Sequence, residues 1–235
     1  MMKLVTEFKK RQRNKRSWTV SNVVGVVDSP RAIAIASRMK SATVDFLEWR
    51  ADCLPGITLP KVAAAPWIVT ARHPMEGGQG GLSSSARRGI LLGLIDGAKA
   101  VDVECRSLGA LREVVEAAHT RRVDVIASFH DFRCTPSVQR LREVLKGCVD
   151  GGADVVKIAT RTESADDVRR LLELFGVARI PLAVMGMGPL GMASRLLFGS
   201  CGSVLNYGWL DRPNVPGQWS AKDLKAMLAT IREQN

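Results

Sequence analysis

The chain has 235 residues, with 34 Lys and Arg against 23 Asp and Glu, for a formal charge of +11. At 46% hydrophobic and 24% charged residues, disordered and fibrous classes are excluded. The length suits a single α/β barrel, a fold that runs to about 250 residues.

The charge is uneven. Residues 1–16 hold Lys3, Lys9, Lys10, Arg11, Arg13, Lys15 and Arg16 against Glu7, more than half of the whole surplus. This stretch reads as a basic N-terminal extension, 1–16, ahead of a catalytic domain over 17–235. Such a run is either a solvated tail or a contact for nucleic acid or an anionic membrane. Phe8 is its only aromatic residue and it carries no binding motif, so neither partner is expected. No apolar run matches a secretory core or the ~20 residues of a membrane span. Five scattered cysteines without a C-x-x-C fit a reducing cytoplasm and argue against a disulfide framework or a zinc site.

Beyond the extension one rhythm repeats: a β-rich run, a turn, a helical stretch. Strands are predicted at Val23–Val27, Asp45–Asp52, Trp67–Arg72, Ala100–Cys105, Val123–His130, Asp154–Ala159, Ile180–Met185 and Ser203–Gly208. Helices are predicted over Arg31–Lys40, Ser84–Ala98 and Leu111–Thr120, and after Thr135-Pro136, since proline suits a first helical turn. Further helices follow at Glu163–Phe175 behind a Thr162/Ser164 cap, at Met192–Phe198, and at Ser220–Gln234. Alternation of this kind means parallel βαβ units. Eight of them, with no Gly-rich dinucleotide turn after the first strand, predict a single-domain (β/α)8 TIM barrel.

In such barrels the chemistry sits at the C-terminal strand ends. The second strand ends Glu48-Trp-Arg50-Ala-Asp52, with three charges on one face. The third ends Thr70-Ala-Arg72, followed by Glu76-Gly77-Gly78. Asp102 and Glu104 share a face of the fourth; they either balance buried cations or take part in catalysis. His130 ends the fifth, and imidazole suits proton transfer near neutrality. His73 and His119 lie in a loop and late in a helix, weaker positions for that task. Lys157 interrupts the apolar sixth strand. Burial and neighbouring cations lower a lysine pKa from about 10.4, freeing the amine to form a Schiff base with a carbonyl. Arg195 follows the Gly-rich run 185–191, and Gln218 closes Pro216-Gly217-Gln218; together they suit a carboxylate with hydroxyls. No metal or phosphate motif is present.

This ordered set resembles the type I 3-dehydroquinate dehydratases of the shikimate pathway, over roughly residues 20–234. The resemblance implies that Lys157 forms an imine with the C3 ketone of 3-dehydroquinate and that His130 moves the protons. It also implies that Glu76 orients His130, that Glu48, Arg50 and Arg72 hold substrate hydroxyls, and that Arg195 and Gln218 grip the carboxylate end. No cofactor is implied, and a cytoplasmic homodimer is. Asn214 stands where the family usually has Ser or Thr, which predicts altered affinity or loop closure. The segment between strands one and two looks short for the family. A Schiff-base aldolase on the same barrel, or a barrel that binds without turnover, are the competing readings.

Overall fold

A computed structural model describes Trp18 and residues 21–234. The basic stretch 1–16 lies outside the described residues. Eight parallel strands form the barrel wall: β1 (Asn22–Val27), β2 (Phe46–Arg50), β3 (Trp67–Thr70), β4 (Ala100–Glu104), β5 (Asp124–Asp131), β6 (Val155–Arg161), β7 (Leu182–Met187) and β8 (Leu205–Trp209). Their order is β7-β6-β5-β4-β3-β2-β1-β8, so the first and last strands pair directly. The ring closes between β7 and β8 without a regular ladder. Val204 N–H donates to Leu182 O at 2.7 Å. The Ser203 hydroxyl accepts from Val184 N at 3.0 Å and contacts Val184 O and Leu205 O. The predicted (β/α)8 barrel is therefore present.

Alternation along each strand sorts side chains into two apolar sets. One set lies between wall and helices, including Leu47, Trp49, Val69, Leu91, Val125 and Leu141. The other fills the barrel interior and includes Val24, Ile68, Ala100, Ile126, Val155 and Ala183. Trp18 closes the N-terminal end: its ring lies 5.0 Å from Phe46, and its indole donates to Asp124, which also pairs with Lys99. Above the apolar layer the inner positions turn polar on β2 to β6. They stay apolar on β7 and β8, where Met185, Met187 and Tyr207 face inward.

The helices are α1 (Pro30–Ser37), α2 (Ser84–Leu94), α3 (Arg112–Arg121), α4 (Val138–Asp150), α5 (Ala165–Val177), α6 (Gly191–Ser200) and α7 (Ala221–Glu233). Serine caps start most of them: Ser29, Ser83, Ser137, Ser164 and Ser220 each accept from a first-turn amide. One sequence expectation changes here. The helix after β5 begins at Val138 behind Ser137, because Thr135 is drawn off to Thr160 Oγ1 and Arg161 O. The helix expected over Arg31–Lys40, between β1 and β2, is present as α1. Residues 51–66, between β2 and β3, where no helix is predicted, carry none among the described residues. Pro55, Gly56, Pro60 and Pro66 break helical continuity there. Trp49 and Trp67, edge to face at 5.6 Å on the outer surface of β2 and β3, fill the place a helix would cover.

Candidate active site

The polar layer is built by strand register. Ser128 on β5 stands opposite Lys157 on β6, so His130, two residues on along the same face, lies one layer higher. Lys157 Nζ donates to Asp102 Oδ2 at 3.0 Å, faces Glu48 Oε1 at 3.6 Å and sits 3.9 Å from the centre of the Tyr207 ring. Its nearest charged partners are thus carboxylates.

Arg72 organises the same layer. Its guanidinium reaches Asp102 Oδ1 at 2.8 Å, Ser128 Oγ at 2.7 Å and Glu104 Oε1 at 3.2 Å, with Glu48 Oε1 at 3.5 Å. Glu104 also pairs with the fully buried Arg87, which is fixed by Ala71 O and Ser107. Three acids therefore meet three cations, which makes burial of so much charge tolerable. Burial pushes the Asp102 carboxyl up, but Arg72 and Lys157 outweigh it and hold Asp102 well below the usual carboxylate range. Asp102 and Glu104 thus lie against the buried cations Arg72, Lys157 and Arg87.

His130 and Glu76 form a second unit. Glu76 Oε2 lies 3.0 Å from both the backbone N and Nδ1 of His130, and Arg106 holds the other oxygen at 3.0 Å. Burial, then Arg72 and Lys157, push the His130 pKa well below the ordinary imidazole value. Burial and nearby Glu104 raise Glu76 to about 7. The turn that presents Glu76 depends on glycine. Gly77 adopts φ +84°, and a Cβ on Gly78 would stand 2.1 Å from Arg72 O. Glu76-Gly77-Gly78 is therefore locked against the end of β3.

The remaining predicted residues line the rim and the far wall. Arg50 forks onto Asp52 at 2.9 and 2.7 Å and touches Gly77 O at 3.3 Å. Asp52 in turn accepts from the amides of Arg72 and Gln79. Arg195 is 3% exposed, donates from Nη1 to Tyr207 O at 2.8 Å, and its Nε has no partner. Burial lowers its pKa to about 10, so it remains a cation at neutrality. Gln218 turns its side-chain oxygen to Asn214 N at 2.9 Å, inside its own loop. The Asn214 side chain donates to Asp28, at the end of β1. That loop rests on the Gly-rich turn after β7: Gly188 N donates to Pro216 O at 2.8 Å, and Gly217 has φ +75°.

Lys157, Glu48 and Arg72 thus form one cluster, with His130 and Glu76 directly above it. Arg195 stands behind Tyr207, whereas Arg50, Asn214 and Gln218 engage partners of their own at the rim. Sequence reasoning passed over Ser128, Tyr207, Arg87, Arg106 and Asp28. Ser128 and Tyr207 carried a signal, since each occupies an inward position of its strand. Nothing local marks Arg87 or Arg106.

The family model for type I 3-dehydroquinase matches residues 23–235. The 3-dehydroquinate dehydratase of Thermococcus gammatolerans is 34% identical over 212 residues, covering 89% of this chain and 98% of that protein. The enzyme of the same name from Lactiplantibacillus plantarum is 32% identical over 222 residues, covering 85% and 87%. The crystal structure of a type I 3-dehydroquinate dehydratase from Clostridium difficile with covalent modified comenic acid superposes with a TM-score of 0.81. It is 27% identical and covers 92% of this chain and 94% of that one.

Proposed function

The chain belongs to the type I 3-dehydroquinase family, hydro-lyases of the shikimate pathway, and from that premise we propose that Lys157, His130 and Glu76 carry its dehydration of 3-dehydroquinate. The observation that carries this assignment is the buried amine of Lys157 with a pocketed, uncharged imidazole one layer above it. Membership of this family decides for dehydration against an aldolase and against a silent barrel.

Lys157 attacks the C3 carbonyl, and loss of water leaves an imine. The imine draws electrons from the adjacent C2–H bond, and His130 Nε2 accepts that proton. Electrons then flow to expel the C1 hydroxyl, which leaves as water with the proton from His130. Hydrolysis frees 3-dehydroshikimate and Lys157. Glu76 accepts a hydrogen bond from Nδ1–H and leaves Nε2 open as the base. Glu48, Arg50 and Arg72 meet hydroxyls, and Arg195 meets the carboxylate, which suits a guanidinium with an unpartnered N–H. Asn214 and Gln218 hold the loop over the substrate. No metal or cofactor is needed for these steps.

Residues 1–16 are an extension to a barrel over 17–235 and take no part in turnover. The enzyme is a cytoplasmic homodimer; five unpaired cysteines suit a reducing compartment. No helix of the described residues is long and apolar enough to cross a membrane.

Borohydride added during turnover of 3-dehydroquinate traps a reduced adduct that peptide mapping assigns to Lys157. Absence of both adduct and product sinks the assignment. His130→Ala loses about 10²–10⁴-fold in kcat yet still yields the adduct; normal turnover by that variant removes His130 from the acid–base role.

A further inference from the structure

Tyr207 is the one tyrosine of the chain and faces inward from β8. It is 3% exposed, and its hydroxyl has no hydrogen-bond partner. Leaving a buried hydroxyl unpaired is destabilising, a cost that phenylalanine avoids with the same packing. The ring is not free to turn away. Lys157 Nζ lies 3.9 Å above its centre, and its backbone carbonyl is held by Arg195. The phenol oxygen therefore sits on the rim of the ring that carries the nucleophilic amine.

We propose that the Tyr207 hydroxyl is a further catalytic group, a hydrogen-bond donor to the oxygen of the carbonyl that Lys157 attacks. This rests on the Schiff-base reading above. As the Lys157 nitrogen bonds to carbon, the carbonyl π pair moves onto oxygen, where the Tyr207 O–H meets the developing charge. The proton released by the nitrogen finishes on that oxygen, giving a neutral carbinolamine, and Tyr207 keeps its own proton. Burial, with Glu48 and Asp102 nearby, raises the phenol well above its ordinary pKa, so it stays a donor at neutral pH. Before substrate arrives the ring holds the ammonium form of Lys157 by cation–π attraction, and His130 takes one ammonium proton as the carbonyl enters, freeing the amine to attack. Tyr207 supplies a neutral donor where the oxygen changes charge.

Tyr207→Phe keeps the ring and removes only the oxygen. Its thermal midpoint equals or exceeds that of the parent, because an unpaired buried hydroxyl is lost. Its rate of imine formation, read as borohydride-trapped Lys157 adduct in a single turnover of 3-dehydroquinate, falls about 10²-fold, the scale for losing one oxyanion donor. Parental trapping rates and kcat/KM in the variant overturn the proposal, as does a loss of kcat/KM with trapping unchanged. If the parent enzyme turns over but traps no adduct, the Schiff-base reading itself has failed, and Tyr207 with it.

Discussion

The charge of Glu76 decides which nitrogen of His130 is free. As a carboxylate it accepts from Nδ1 and leaves Nε2 as a base; once protonated it can donate to Nδ1 and reverse the tautomer. Burial and Glu104 raise Glu76 to about 7, while the His130 pKa is pushed far below that. The acid limb of kcat/KM should therefore report Glu76. A raised carboxyl pKa is protonated below that value, so activity falls as pH drops through about 7. Glu76→Gln keeps the shape without the titration, so its plateau is about tenfold lower and the limb near pH 7 flattens. An unchanged limb in that variant assigns the titration to another group. Residues differ in how openly they announce themselves. Lys157 was legible because an amine in an apolar strand needs a reason, and His130 because it ends one. Asp102 was ambiguous, since an inward acid serves equally as partner or catalyst until Arg72 and Lys157 are seen beside it. Glu76 was found through family resemblance; burial in the turn, not any local pattern, gives it its pKa.

Elements were legible where pattern and caps agree, as at α5, whose Ser164–Asp167 capping box sits where the sequence put a cap. The absence of a helix between β2 and β3 was legible from Pro55, Gly56, Pro60 and Pro66, but the edge-to-face contact of Trp49 and Trp67 that covers the wall there was not. Between the turn after β7 and the loop after β8, fit depends on bare backbone. A Cβ on Gly217 would stand 2.2 Å from Gly188 O, and φ there is +75°. Gly217→Ala should push the loop bearing Asn214 and Gln218 off its seat. KM then rises severalfold or more, while borohydride still labels Lys157 and the thermal midpoint moves little. Parental KM would show that the loop closes without this contact.

Across the whole molecule, charge divides by place. Much of the surplus that first suggested an anionic polymer lies in the N-terminal stretch, whereas the barrel neutralises Arg72, Lys157 and Arg87 almost ion for ion. Among the buried cations of the described residues, the one with no carboxylate partner is Arg195, bonded to a carbonyl. A site for one small organic anion needs no more than that.

The closure at β7 and β8 has a consequence in time as well as space. Seven strand pairs are ladders, and the eighth is held by one backbone bond and the Ser203 hydroxyl, with the Arg195–Tyr207 bond tying α6 to β8 beside it. A ring opens at its weakest join, so amides of Val184 and Val204 should exchange with solvent deuterium before those of β4 or β5. Ser203→Ala strands the Val184 amide, lowers stability by about 1–3 kcal/mol and speeds that exchange further. A carboxylate held by Arg195 draws α6 and β8 together and slows it. Exchange at the join that ignores both changes would mean the ring breathes elsewhere; exchange that follows them makes ligand binding the last stitch in the barrel.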